Sequence, residues 1–306
     1  MKKLFLIDGS ALAYRSYFAF QRNPLINSKG ENTGAVFAFL NSLLKIIDEQ
    51  QPDYLAAVFD TPEPTFRHKL YPEYKATRQK MPDEMREQLP RIKQVLDVLN
   101  VPVVEMPGLE ADDVMGALAK QASSLGMETF LVTGDKDFMQ LVSPTIKIYN
   151  PKRAGEEIEI LDREGVIKKI GLPPEKVIDY MSLTGDSSDN VPGVSGIGPK
   201  TALEILNQFE NLDEIYQNLD KVERDSTRNK LAANKENAFL SRQLVTLSTE
   251  VAIPNTIDDF SRKEPDHAQA FSLIKELEFI TLLDRFTTSK ETQTSNYQTI
   301  ETAARL

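Results

Sequence analysis

The chain has 306 residues, no cysteine, two histidines (His68 and His267), 41% hydrophobic and 27% charged content, and a net charge of -10. Without thiols there is no disulfide framework and no cysteine nucleophile, and a Ser-His-Asp triad would have to draw on one of those two imidazoles. No apolar run approaches the ~20 residues of a membrane span, and the first one, Leu4 to Ile7, stops at Asp8, so neither a membrane helix nor a signal peptide is expected and the cytoplasm is the default.

Lys3-Leu4-Phe5-Leu6-Ile7-Asp8 is a continuous apolar run closed by an acid, the pattern of a strand buried on both faces of a parallel sheet. A helix is expected over 33–50, where Val36, Leu40, Leu43, Leu44 and Ile47 recur at helical spacing. Leu55-Ala56-Ala57-Val58-Phe59-Asp60 repeats the strand pattern, and residues 67–93 then hold eight Lys or Arg against four Asp or Glu. Leu89, Ile92, Val95, Leu96 and Leu99 predict a helix over 84–100; residues 101–105 read as a strand before Glu110-Ala111-Asp112-Asp113 opens another helix. Thr129-Phe130-Leu131-Val132-Thr133-Gly134-Asp135 is again apolar and acid-ended, with Asp137 two residues on. Strands and helices alternate in this way to about residue 170, which is α/β architecture with a mostly parallel sheet.

Ligands of open parallel sheets collect beyond the carboxyl ends of the strands, so these acids converge on one edge. Any one of them alone would read as a helix cap or strand-end residue. Five or six together repel one another, and a bound cation is the first hypothesis for what keeps them ionised. An all-oxygen donor set suits Mg2+ or Mn2+, whereas zinc favours the Cys and His that are scarce here. The net charge taken alone argues against a polyanionic partner, but its distribution does not: besides the basic run at 67–93, residues 221–242 carry six Lys or Arg against three acids. Either run alone would read as a solvated helix face. An acidic centre flanked by basic stretches suits a metal-dependent phosphodiesterase acting on nucleic acid.

After Gly171-Leu172-Pro173-Pro174 the strand-like runs stop, and residues 175–283 read as short helices. Thr184-Gly185-Asp186-Ser187-Ser188-Asp189-Asn190 sets Asp186 and Asp189 three apart, which on a helical turn would share a face and grip a second cation. The segment Gly196-Ile197-Gly198-Pro199-Lys200-Thr201-Ala202, followed by Leu203, Ile205 and Leu206, looks like a helix-hairpin-helix. Its glycines would let backbone amides approach a phosphate at a helix N-terminus, with Lys200 alongside. A lone Gly-x-Gly is usually only a turn; the flanking Pro, Lys and Thr-Ala set this one apart. Residues 287–299 are polar and rich in Thr, Ser and Gln.

Taken in order, Asp8, Val58-Phe59-Asp60, Glu110-Ala111-Asp112-Asp113, Thr133-Gly134-Asp135-Lys136-Asp137, Gly185-Asp186-Ser187-Ser188-Asp189-Asn190 and the Gly-Ile-Gly hairpin resemble the 5′-nuclease family. That family includes the flap endonucleases and the N-terminal 5′ to 3′ exonuclease domain of bacterial DNA polymerase I, and the match spans about residues 1–285. The resemblance implies a PIN-like catalytic α/β domain over 1–170 with a helical arch at about 67–95. It further implies a helix-hairpin-helix DNA-binding subdomain over 171–286, leaving 287–306 as a linker or the start of another domain. It implies two divalent cations, Mg2+ or Mn2+, and a monomer that cleaves DNA at 5′ flaps or single-strand to duplex junctions in replication and repair.

Residue by residue, Asp8, Asp60, Glu110 and Asp112 resemble the ligands of one metal, Asp135 lies between the sites, and Asp137, Asp186 and Asp189 resemble the second set, with Asp113 supporting either. Tyr71-Pro72-Glu73-Tyr74-Lys75-Ala76-Thr77-Arg78 resembles the arch, in which Lys75 and Arg78 at i and i+3 on one helical face would meet the scissile phosphate as catalytic cations. Tyr74 would stack on a base; Gly196, Gly198, Lys200 and Thr201 are the other expected DNA contacts, with Arg15 and Tyr14 weaker ones. The run Tyr297-Gln298-Thr299-Ile300 is similar to one that begins the next domain in polymerase I, which implies the amino-terminal part of such a polymerase; a free-standing exonuclease is the alternative. A PIN-type ribonuclease would lack the hairpin, and a non-catalytic DNA-binding module would have no use for the acids.

Overall fold

The computed structural model describes residues 1–151 and 158–287. The polar stretch from 288 onward, with the Tyr297 to Ile300 run, lies outside the described residues. The acid-ended apolar runs are strands β1 (Lys3–Asp8), β2 (Tyr54–Phe59) and β4 (Glu128–Val132), joined by β3 (Val103–Glu105), β5 (Ile146–Asn150) and β6 (Glu159–Leu161) in one six-stranded sheet. Its order is β3-β2-β1-β4-β5-β6, parallel throughout except for the β5–β6 pair at the edge. Because β1 pairs Asp8 with Val58 and Ile7 with Val132, the ends of the three central strands lie level, and the acids just beyond them come to one rim.

Side chains alternate across the sheet with a period of two, and each face has its own core. Leu4 and Leu6 of β1 pack with Val114, Met115 and Leu118, whereas Phe5 and Ile7 pack with Leu40, Leu43, Ile92 and Leu96 on the other side. Helices α1 (Gly9–Phe20), α2 (Gly34–Gln50), α3 (Phe66–Leu70), α4 (Asp83–Val98), α5 (Ala111–Ser124) and α6 (Arg163–Ile170) belong to this half. The helices expected over 33–50 and 84–100 are α2 and α4, with ends moved by one or two residues.

The helical half contains α7 (Val177–Thr184), α8 (Pro199–Leu206), α9 (Leu212–Gln217), α10 (Asp225–Ala233) and α11 (Lys235–Val245), then α12 (His267–Glu276). Its own core runs from Leu172 to Ala238, through Leu183, Ile197, Leu206 and Leu231. The chain then returns to the sheet. Leu244, Val245, Ile257 and Phe260 join one face, while Ala270, Leu273, Ile274, Phe279 and Phe286 join the other. Residues 244–286 thus add to both cores of the sheet, and α12 packs against α4 as well as against the turns at 280–286 that follow it.

Candidate active site

Each acid at the rim is placed by a backbone device. Asp8 caps α1: its Oδ1 accepts the Ala11 N–H at 2.8 Å, and its Oδ2 accepts the Thr133 hydroxyl at 3.0 Å. Asp60 Oδ1 accepts the Ala111 N–H at 2.9 Å, so the residue that ends β2 also tethers the start of α5. Glu110 is the N-cap position of α5, and Asp112 lies in its first turn. Asp135 accepts the Asp137 N–H at 2.9 Å, which turns the chain so that both carboxylates face the rim. Asp186 and Asp189 arrive from the helical half on a tight turn closed by the Asp186–Val191 bridge, with Asp186 accepting the Ser188 N–H and hydroxyl at 2.9 and 2.6 Å. That turn is not the helical one expected, since Gly185 enters it at φ +68°; Gly185 and Gly193 cross so closely that a Cβ on either would meet backbone at 2.5 Å or less.

Burial and mutual repulsion sort these acids into two groups. Burial, with repulsion from Asp60 and Asp135, pushes the Asp8 carboxyl up to about 7 against the pull of Ala11 and Thr133. Asp112 is raised well above the carboxylate range by burial and by Asp8, Asp135 and Asp60. Asp137 is raised by burial and by Asp135, Asp186 and Asp189. Asp135 repels members of both groups. Asp186 moves the other way: burial pushes it up, but the two Ser188 bonds and Lys136 at 3.1 Å hold it below the usual range.

The arch residues reach into this cluster. Lys75 Nζ is 3.0 Å from Glu110 Oε2 and 3.8 Å from Asp189 Oδ2, and Arg78 pairs with Asp189. The segment that carries them is not a helix. Between α3 and α4 the chain runs through successive turns; Lys75 sits at φ +57° and its N–H donates to the Asp189 carbonyl at 2.9 Å. Lys75 and Arg78 therefore meet at the acids through loop geometry, not through a shared helical face. Tyr74 does not face outward for stacking on a base: it is 5% exposed, and its hydroxyl lies 3.2 Å from both Glu110 and Asp189.

Asp113 stands apart from the cluster. It is fully buried, both its oxygens take the Arg67 guanidinium at 2.7 and 2.8 Å, and Oδ1 also accepts the Ser248 N–H. Both oxygens are taken by a guanidinium rather than by the neutral donors that hold Asp8, so Asp113 serves as the counter-ion of Arg67. Arg67, counted in the basic run as a solvent-facing charge, is 1% exposed. Lys136, Thr65 and Thr133 were not singled out in the sequence. Thr133, two residues before Asp135, is the one with a readable signal, since a hydroxyl at that offset can bond the backbone of the acid it precedes.

The glycine hairpin joins α7 to α8. Gly196 adopts φ +79° and Gly198 caps α8; a Cβ at Gly198 would meet nothing within 4 Å, so the fold itself does not require glycine there. Lys200 and Thr201 lie in the first turn of α8, and Lys230 Nζ bonds the Gly196 carbonyl at 2.9 Å. Arg15 and Tyr14 are on α1; Arg15 lines a groove of about 1200 Å³ with Arg22, Lys45 and Phe18, and none of the rim acids lines it.

The rim residues fit divalent cations. Every donor is oxygen, Asp137 Oδ1 is buried without a hydrogen-bond partner, and burial with mutual repulsion raises three carboxyls in a way that a cation would relieve. Among the described residues no three acids or histidines are already gathered as a cage. Lys75, Arg78 and Lys136 occupy Glu110, Asp189 and Asp186 instead.

Two family models cover most of the chain: the 5′-3′ exonuclease N-terminal resolvase-like domain over residues 3–171 and the 5′-3′ exonuclease C-terminal SAM fold over 172–268. The 5′-3′ exonuclease of Aquifex aeolicus is 41% identical over 92% of this chain and 94% of its own length. DNA polymerase I of Bacillus subtilis is 38% identical over 93% of this chain, which spans about a third of that relative. Among solved structures, T5 5′-exonuclease with bound zinc superposes with a TM-score of 0.70 at 19% identity, covering 93% of this chain and 97% of that one. The catalytic core of Rad2 in complex with a DNA substrate gives 0.63 at 19%, covering 94% and 92%. The sheet with its helical second half is thus the fold of both.

Proposed function

The chain belongs to the 5′-3′ exonuclease family, and from that premise we propose that it hydrolyses DNA at 5′ ends and 5′-flap junctions with two divalent cations, Mg2+ or Mn2+. The observation that supports the reading is the convergence of these buried, mutually repelling carboxylates on one rim, with Lys75 in reach of both Glu110 and Asp189 and Arg78 paired with Asp189. Asp8, Asp60, Glu110 and Asp112 would hold one cation, Asp137, Asp186 and Asp189 the other, with Asp135 between. When bound, such ions polarise the scissile phosphate and make an attacking water more acidic.

The chain's own residues do the rest. Lys75 and Arg78 leave their carboxylates for the phosphate, placing two positive charges where charge grows in the transition state. Thr133 and Ala11 hold Asp8 so that its oxygens keep their direction. Gly198 at the start of α8 admits a duplex phosphate to backbone N–H groups, with Lys200 and Lys230 beside it. No protein nucleophile is needed.

The test compares Mg2+-dependent cleavage of a 5′-flap duplex with that of single-stranded RNA of equal length. Cleavage of the flap near its junction, abolished by EDTA, is expected. Preferential RNA cleavage would favour a PIN-type ribonuclease, and tight flap binding without cleavage in either metal would leave a DNA-binding module.

A further inference from the structure

Arg67 is the largest fully buried side chain of the protein's described residues and it is a cation. Its Nε donates to the Leu244 carbonyl at 2.7 Å, and Nη2 to Asp113 and to the Thr246 carbonyl at 2.8 and 2.9 Å. Nη1 donates to Asp113 at 2.7 Å and lies 3.4 Å from Glu110 Oε2. Three segments far apart in sequence therefore meet on one guanidinium: the base of the arch, the first turn of α5 and the end of α11. We propose that Arg67 is a positioning residue that fixes the Glu110 carboxylate for cation binding, an inference that rests on the cation reading of the rim.

Glu110 has one oxygen taken by the Thr65 hydroxyl at 3.3 Å, while the other faces Arg67, Tyr74 and Lys75. Lys75 is a long, flexible partner that must leave if it is to reach a phosphate. Arg67 cannot leave, because Asp113 and two carbonyls hold its planar fork. The carboxylate therefore keeps a fixed cationic neighbour in every state of the arch. Asp113 neutralises Arg67, so Glu110 retains the negative charge that a divalent ion would use. The end of α11 supplies the backing, and the same helix holds the loop that leads into the glycine hairpin, since Ser241 Oγ accepts the Gly193 N–H at 2.8 Å.

The alternative is a buried ion pair that only staples the fold. Replacing both partners of such a pair by apolar residues commonly restores stability, whereas removing one does not. The experiment therefore measures Mn2+ binding by calorimetry without DNA, the Mg2+ dependence of flap cleavage, and thermal unfolding. It does so for the wild type, Arg67→Lys, Arg67→Met and the double variant Arg67→Met with Asp113→Leu. A positioning role weakens Mn2+ binding at one site about tenfold or more in Arg67→Lys and in the double variant. The half-saturating Mg2+ rises in step, while the rate at saturating Mg2+ falls much less and the double variant regains the melting temperature that Arg67→Met loses. A double variant with recovered stability and wild-type Mn2+ binding overturns the proposal. If the double variant fails to fold, wild-type Mn2+ binding by Arg67→Lys overturns it equally. A wild-type protein that binds no Mn2+ would instead overturn the cation reading of the rim.

Discussion

Asp112 and Asp113 part company because consecutive helical residues point about 100° apart, so only one of two adjacent acids at the start of α5 can face the rim. The sequence marks both as acidic and is silent on which way each turns; the buried Arg67 that claims Asp113 is 46 residues away. Tyr74 was misread for a similar reason, since its partners Glu110 and Asp189 lie 36 and 115 residues distant. At Asp60, two jobs are joined. Asp60→Ala is expected to abolish cleavage in saturating Mg2+ while leaving flap binding within a few fold, and to cost about 1 kcal/mol of stability because the Ala111 N–H loses its acceptor. Single-turnover kinetics, a binding titration and a melting curve check the three parts; substantial residual cleavage would contradict the assignment. Lys75→Ala should lower the single-turnover rate by about a hundredfold or more with little loss of affinity, as expected for a charge used in the transition state. Because Lys75 sits at φ +57°, Lys75→Gly should lose the same activity yet melt higher than Lys75→Ala.

At the scale of elements, strands buried on both faces announce themselves as unbroken apolar runs, which is why β1, β2 and β4 and their acids were legible. β6 is short, antiparallel and at the sheet edge, so it carries no such signal. The stretch 71–78 shows the limit of spacing arguments: Lys75 and Arg78 at i and i+3 are compatible with a helix, but the Asp189 carbonyl captures the Lys75 N–H and holds a turn instead. Helix α12 was legible as a helix but not as part of the α/β core, because period tells which face is apolar and not what covers it. The hairpin offers a clean test. Gly198 has an ordinary extended backbone and open space around its would-be Cβ, so Gly198→Val should fold and melt like the wild type. If a duplex phosphate packs there, the same variant should bind flap DNA several-fold more weakly. Lys200→Ala should reduce the salt slope of binding by roughly one unit. Normal flap binding by Gly198→Val would make the hairpin a structural corner only.

For the molecule as a whole, the rim is a place where folding and charge oppose each other. Asp8 keeps its proton up to about pH 7 in the folded chain, against 3.8 for an ordinary aspartate. Between those values the folded chain holds more protons than the unfolded one, so this contribution to stability is lost as pH rises toward 7. Asp112 and Asp137 are raised in the same sense, while Asp186, lowered, acts only at more acid pH. In EDTA the melting temperature should therefore fall between about pH 5 and 7.5, and Mg2+ should restore more of it at the upper end, where the ligands are ionised without it. A melting temperature in EDTA that rises across this interval would contradict the burial of the acids. The central claim is that two carboxylate groups share Asp135. Calorimetric titration of the protein with Mn2+ at about pH 7.5, without DNA, tests it directly when the wild type is compared with Asp135→Asn and Asp186→Asn. Two sites are expected in the wild type, with Asp186→Asn weakening one and Asp135→Asn weakening both; an Asp135→Asn variant that loses one site and leaves the other untouched would contradict the account.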